Sequence, residues 1–281
     1  MSPKISKAQI QSVQLKLNRI AMQRGSTLQQ MLTIFLLERT TVRLLADATL
    51  QENLIFKGGY VGVRVYNSPR YTTDLDAVLR RMDPKEAVSR IRNAMEFDSG
   101  DGAWFQYEGM DDLKTQGVYG GIGLSFRAGL GEPPAKISKA QRIHIDLGIG
   151  DPVTPAARLI STNCTIGEGS LTWQVYPVET ILAEKLHAMV KLGDRNSRAK
   201  DVYDVQLFLP QANPTHLREA MNATFTFRGD PLPAAIWRIL ALTETSLLKR
   251  GWATAVSTTK DAPQFDLSFE KIVSTLKSWD I

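Results

Sequence analysis

Residues 54–79 read LIFKGGYVGVRVYNSPRYTTDLDAVL, and the rest of the chain is organised around them. An apolar approach ends at Lys57, a Gly58-Gly59 pair follows, and beyond Arg70, Thr72 and Thr73 the chain enters Asp74-Leu75-Asp76 inside a hydrophobic run. Alternate residues of a strand share a face, so Asp74 and Asp76 aim both carboxylates one way while Leu75 and Ala77 turn to the core. Paired oxygens of this kind suit magnesium, a hard cation that keeps several waters and takes one or two protein carboxylates together with substrate phosphates. Gly58-Gly59 lets bare backbone approach an anion, and a helix over 60–66 would turn its free N–H groups toward a triphosphate. Glycines and acids then hold opposite ends of one magnesium–nucleotide.

Other landmarks follow in order: Leu37-Glu38-Arg39 ahead of the glycines, His144-Ile145-Asp146 downstream, Glu179 with Ala183-Glu184-Lys185-Leu186, and Arg198-x-Lys200-Asp201-x-x-Asp204. A DxD pair alone is a weak signal. Joined to the KGG, to R-x-[ST]-x-D-x-D and to these landmarks, it resembles the nucleotidyltransferase core of the AbiEii/AbiGii (MenT-like) toxins of bacterial toxin–antitoxin systems, over residues 5–209.

The resemblance implies an α/β (α+β) fold. A polymerase-β-like nucleotidyltransferase domain with a mixed sheet and N-terminal helices would occupy 1–176, and a helical domain over 177–281 would complete the cleft for nucleotide and acceptor. It implies that Asp146, from a neighbouring strand, joins Asp74 and Asp76 around two magnesium ions. Lys57, Gly58, Gly59, Arg70, Thr72 and Lys185 would meet the NTP substrate's triphosphate, with Arg198 and Lys200 also on phosphates. Asp201 and Asp204 would position bases or metal-bound water. The activity implied is transfer of a nucleoside monophosphate from an NTP to an acceptor hydroxyl with release of pyrophosphate. The implied acceptor is RNA, the 3′ end of tRNA, so that translation stops. A cognate antitoxin is implied too, and in some systems of this kind a kinase-like antitoxin phosphorylates a hydroxyl at the position of Thr72.

Composition sets broader bounds. The 281 residues allow one large domain or two modest ones, and 43% hydrophobic content is ample for a core. No apolar run reaches the length of a membrane span and the start MSPKISKAQ lacks an apolar signal region, so no membrane partner and a cytoplasmic location are expected. A monomer is expected as well. One cysteine, Cys164, excludes an internal disulfide and reads as a small core residue, and three scattered histidines give no zinc cluster. Lysine and arginine outnumber acids 34 to 29. That excess is compatible with a polyanion such as RNA and equally with an ordinary solvated surface.

Periodicity predicts helices over 7–22, from an N-cap at Ser26 with Gln29 through Arg39, over 41–50, over 84–95 and over 178–192. Later helices are expected around 200–205, 216–223, 233–249 and 267–278, with Trp237, Trp252 and Trp279 as packing residues. Strands are expected at 104–107, 121–127, 142–147 and 171–176. Glu38 and Arg39 read as a salt bridge at a helix surface, and His144 as a structural hydrogen-bonding histidine. Read from residues alone, Asp146 is a surface strand carboxylate, and Arg198 with Asp201 and Asp204 is a helix start with internal ion pairs. Lys185 interrupts an apolar stripe, which calls for an anionic partner or a stem that snorkels to water. Three other functions fit parts of the pattern: a small-molecule nucleotidyltransferase, a two-metal nuclease, and a non-catalytic nucleic-acid-binding module on the same fold.

Overall fold

The computed structural model describes residues 5–112, 120–167, 169–259 and 261–281, which form two compact units. The first holds the described residues of Met1–Val61, Tyr71–Gly150 and Leu159–Val175; the second holds those of Gly62–Arg70, Asp151–Arg158 and Tyr176–Ile281. The second thus joins the C-terminal helices to two segments from earlier in the chain.

In the first unit, capping boxes start both long helices. Ser6 opens α1 (Lys7–Arg24) and Thr27 opens α2 (Leu28–Ala46), each side chain accepting a backbone N–H that would otherwise lack a partner while a glutamine three residues on returns the bond. The second cap falls one residue beyond the expected Ser26, because the Ser26 hydroxyl donates to the Ala21 carbonyl. Asp47 interrupts the helical run expected over 41–50 and caps a short α3 (Ala48–Asn53) through the Leu50 N–H. β1 (Leu54–Lys57) then runs directly into α4 (Gly58–Val65), within which the division between units falls.

β2 (Asp74–Leu79) follows, then α5 (Pro84–Glu96), opened by proline and capped by Asp83. Five more strands complete the sheet: β3 (Ala103–Asp112), β4 (Gly121–Leu130), β5 (Gln141–Ile149), β6 (Arg158–Asn163) and β7 (Ser170–Val175). Residues 113–119, inside the glycine-broken strand region expected from sequence, lie outside the described residues. β6 is unexpected. Its sequence RLISTN carries little apolar alternation because it lies at the sheet edge with Leu159, Ser161 and Asn163 exposed.

The seven strands form one mixed sheet in the order β3-β4-β5-β2-β1-β7-β6. β2 pairs parallel with β5 and antiparallel with β1, while β1 is parallel to β7 and β4 is antiparallel to both β3 and β5. Leu75, Ala77, Ile143, Ile145 and Leu147 are buried, as the strand period requires. α2 packs on β5 and α5, and α5 also packs on β3. On β7, Trp173 meets the rings of Phe56 and Tyr60.

In the second unit, α6 (Val178–Leu192), α7 (Ala199–Phe208), α8 (Pro214–Phe227), α9 (Ile236–Leu242), α10 (Ser246–Ala255) and α11 (Phe265–Ser278) pack together. The single helix expected over 233–249 is two helices. Between them Thr243 bonds back to the Ile239 carbonyl and the Glu244 N–H goes to Asp194, the local competition with helix that threonine favours. Trp252 is a packing residue between Tyr203 and Phe265, whereas Trp237 and Trp279 are half-exposed.

Candidate active site

Pairing of β2 with β5 sets Asp76 beside Asp146 and Asp74 beside His144. Neighbouring residues in register point to the same face, so all three carboxylates share one side of the sheet, opposite the buried Leu75, Ile145 and Leu147. The row continues outward in both directions: Lys57 lies across from Asp76 on β1, and Gly123 lies across from Asp146 on β4. Each of the three acids is half-buried. Thr73 donates to Asp74 Oδ1 at 3.1 Å, and Ser125 Oγ lies 3.1 Å from His144 Nδ1.

Gly58 faces this row where α4 begins. Its φ is +70°, in the left-handed region, and a Cβ there would overlap Asp76 Oδ2 and come within 2.6 Å of its Cγ. Gly59, by contrast, is buried in the helix start. Burial, and then the charge of Asp74, push Asp146 above the ordinary carboxylate range, with His144 and Lys57 working the other way.

This donor set fits a hard divalent cation. It is all carboxylate oxygen and it stands on one face. The β2–β5 pairing brings Asp74, Asp76 and Asp146 to one face, and among the described residues there is no preassembled cluster of three or more histidine, cysteine, aspartate or glutamate side chains.

The remaining sequence-predicted residues lie mostly in the second unit, in a separate ionic network. Arg70 grips Asp204 with two bonds, Nε to Oδ1 at 2.7 Å and Nη2 to Oδ2 at 2.9 Å. Lys185 Nζ is shared between Asp201 Oδ1 at 2.6 Å and Asp204 Oδ2 at 2.9 Å, while Arg198 Nε reaches Asp201 Oδ2 at 2.5 Å. Lys185 thus has anionic partners within its own unit rather than a snorkelling head. Burial works against its charge, but Asp201 and Asp204 outweigh it and lift the ammonium above its ordinary range. Burial likewise opposes ionised Asp201, yet Lys185 and Arg198 hold it below the usual range. Lys200 is exposed, and Glu179 accepts the Asn213 N–H that opens α8.

Two readings of smaller features change. Glu38 is not at a helix surface: it is fully buried, pairs with Arg39 and accepts from both the N–H and the hydroxyl of Thr165 at 2.7 Å. Cys164 is half-exposed rather than a core residue. Thr72 is buried, and its neighbour Tyr71 donates to Thr33 Oγ1 on α2. Sequence reasoning passed over both Tyr71 and Gly123. The signal for Gly123, which pairs with Asp146 in the ladder, was present in the alternating Gly121-x-Gly123; nothing local marks Tyr71.

An acid face with an apposed glycine on a mixed α/β sheet belongs to a class of enzyme, the nucleotidyltransferases. The sequence model described as nucleotidyl transferase AbiEii toxin, type IV toxin–antitoxin system, matches residues 42–274, and the chain belongs to that family. Among solved structures, JHP933 from Helicobacter pylori is similar at 13% identity and a TM-score of 0.46, covering 87% of this chain and 89% of its own. A candidate nucleotidyltransferase from H. pylori is similar at 14% identity and a TM-score of 0.47, covering 87% of this chain and 92% of its own. No match was found among curated proteins. Membership implies an NTP substrate, a divalent metal and an antitoxin partner. Among the described residues no helix is long and apolar enough to cross a membrane.

Proposed function

We propose that the protein is a cytoplasmic, monomeric toxin that transfers a nucleoside monophosphate from an NTP to RNA, at the tRNA 3′ end, and so blocks translation. The observation that carries this reading is the placing of Asp74, Asp76 and Asp146 on one face of two parallel strands, with Gly58 against Asp76. Asp74, Asp76 and Asp146 would hold magnesium there, and the ion would supply charge neutralisation at the phosphates. Asp146, on its own strand, orients the attacking hydroxyl or takes up its proton as the new bond forms. Lys57, Gly58, Gly59 and Thr72 meet the triphosphate from the chain just ahead of the acids. A bond forms from the acceptor oxygen to the α-phosphorus as the bond to the bridging oxygen breaks, and pyrophosphate leaves. Positioning and electrostatics suffice for such a transfer, with no covalent enzyme intermediate.

In the second unit, Arg198 and Lys200 are exposed and meet phosphates, while Arg70 and Lys185 contribute from within the Asp201–Asp204 network that pairs them. Phosphorylation at Thr72 would place like charge beside two acids and silence the site. Because Thr72 is buried, an antitoxin kinase would need that segment to open. Mass spectrometry after co-expression with the antitoxin decides it, and full inhibition with unmodified Thr72 rejects it.

The main test incubates wild type and Asp76→Ala with each labelled NTP, Mg²⁺ and total tRNA. Label on RNA from the wild type alone supports the proposal. Degraded RNA indicates a nuclease, and no change in either chain indicates a binding module.

A further inference from the structure

Asp74 is the first residue of β2, so the sheet ladder holds only its C-terminal side. What fixes the other side is the path of residues 71–73, which belong to no helix or strand. Tyr71 anchors that path. Its hydroxyl lies 2.9 Å from Thr33 Oγ1, and the fully buried Thr33 in turn reaches the Gln29 carbonyl at 3.0 Å. A carbonyl only accepts, so Thr33 donates to it and accepts the hydrogen bond of the Tyr71 hydroxyl, which sets the direction of both bonds. The Gln29 side chain also bonds Gln141, the first residue of the strand that carries Asp146. The first two turns of α2 therefore touch both acid-bearing segments. Burial lifts the Tyr71 phenol above its ordinary range against the pull of the Thr33 bond, and the charge of Asp74 adds to the lift, which keeps it a neutral donor.

We propose that Tyr71 is a positioning residue for Asp74: its bond to Thr33 fixes the backbone entering β2 and with it the direction of the first carboxylate. A metal-ligating carboxylate has to be held within a fraction of an ångström, and the residue that holds it is commonly a neighbour making no contact with the ion. The claim rests on the metal-holding role proposed above for Asp74.

The test compares Tyr71→Phe, Thr33→Val and Thr33→Ser in the full chain, reading Mn²⁺ affinity from the paramagnetic signal of free ion and amide hydrogen exchange by mass spectrometry. Tyr71→Phe and Thr33→Val are expected to bind Mn²⁺ about 10-fold more weakly, as is usual when a supporting bond around a metal ligand is lost. Both are expected to exchange faster at 71–76 alone, Thr33→Ser to match wild type, and the Tyr71→Phe/Thr33→Val double variant to be no worse than either single. Wild-type affinity and exchange in Tyr71→Phe overturn the proposal, as do a Thr33→Ser variant as impaired as Thr33→Val and exchange that accelerates throughout the chain. If the wild type binds no Mn²⁺, the metal reading of the acids fails separately. Exchange then decides the positioning claim: faster at 71–76 supports it, unchanged rejects it.

Discussion

Gly58 and Asp76 occupy adjoining space that admits only one side chain: a Cβ on the glycine would overlap the aspartate's Oδ2. Two independent facts require glycine there, the positive φ and the missing atom. Gly58→Ala is expected to cost about 1–3 kcal/mol of stability from the left-handed backbone alone. It is also expected to lower kcat/KM for pyrophosphate release on the order of 100-fold, since a displacement of about 1 Å at a reacting centre has that effect. Denaturant unfolding and a steady-state assay measure the two. Adding Asp76→Ala should recover part of the stability and none of the activity, because the clash is mostly with carboxylate atoms. Wild-type activity in Gly58→Ala would show that the glycine does not hold Asp76.

Asp146 separates stability from function. Its folded pKa is raised above 3.8, so the folded state binds more protons than the unfolded one once pH climbs past that value. Stability is therefore lost as pH rises through the folded pKa, and at neutral pH the ionised acid is a burden on the metal-free protein. Asp146→Asn should melt at a higher temperature than wild type at pH 7.5 without divalent ions, with the difference vanishing near pH 3.5, while nucleotide transfer is abolished. A melting temperature at pH 7.5 equal to or below wild type rejects this account of the raised pKa.

Features that depend on local pattern were legible in the sequence. The period-two run Asp74-Leu75-Asp76 and the strict alternation of 142–147 define strands by themselves, and their register could be foreseen only as a shared face. The turn at Asp47 and the break at Thr243–Thr245 were missed because single side-chain bonds, invisible to periodicity, decide them. β6 was missed because an edge strand need bury only part of one face. In the candidate site, residue types gave the acids and the glycines. The pairing of Arg70 with Asp204, 134 positions apart, has no local signature, and the same is true of Tyr71 with Thr33.

Asp204 is the member of the second unit's network whose loss should matter most. It is almost fully buried and serves both Arg70 and Lys185, so Asp204→Ala leaves two cations short of a partner. Breaking a buried ion pair from one side costs about 3–5 kcal/mol. Arg198, whose side chain is 46% exposed, belongs to the other regime, and Arg198→Ala should cost under about 1 kcal/mol. Urea titration of both variants checks the ordering, and an Arg198→Ala variant as unstable as Asp204→Ala would contradict it.

His187, on α6 two residues beyond Lys185, makes stability sensitive to mild acid. Arg228 can only donate, so its bond to Nδ1 at 2.9 Å leaves the ring proton on Nε2, which donates to Asp230 at 2.9 Å. Lys191 also bonds Asp230, and the ring stands edge-on to Phe225. Burial pushes the imidazole below 6.5, against the pull of Asp230 and with help from Arg228. A histidine whose folded pKa is lowered contributes full stability above 6.5 and loses it as pH falls, because the unfolded chain takes up the proton first. The bonds from Lys191 and His187 hold the Asp230 carboxyl below its ordinary range, so it stays ionised through that window. Wild type should therefore weaken between pH 6.5 and pH 5, whereas His187→Gln should start about 1–2 kcal/mol less stable at pH 8 from its lost bonds and show a flatter profile. The gap between them is expected to narrow on acidification in denaturant melts; a gap that is constant or widens would mean that the ring is already charged in the folded protein.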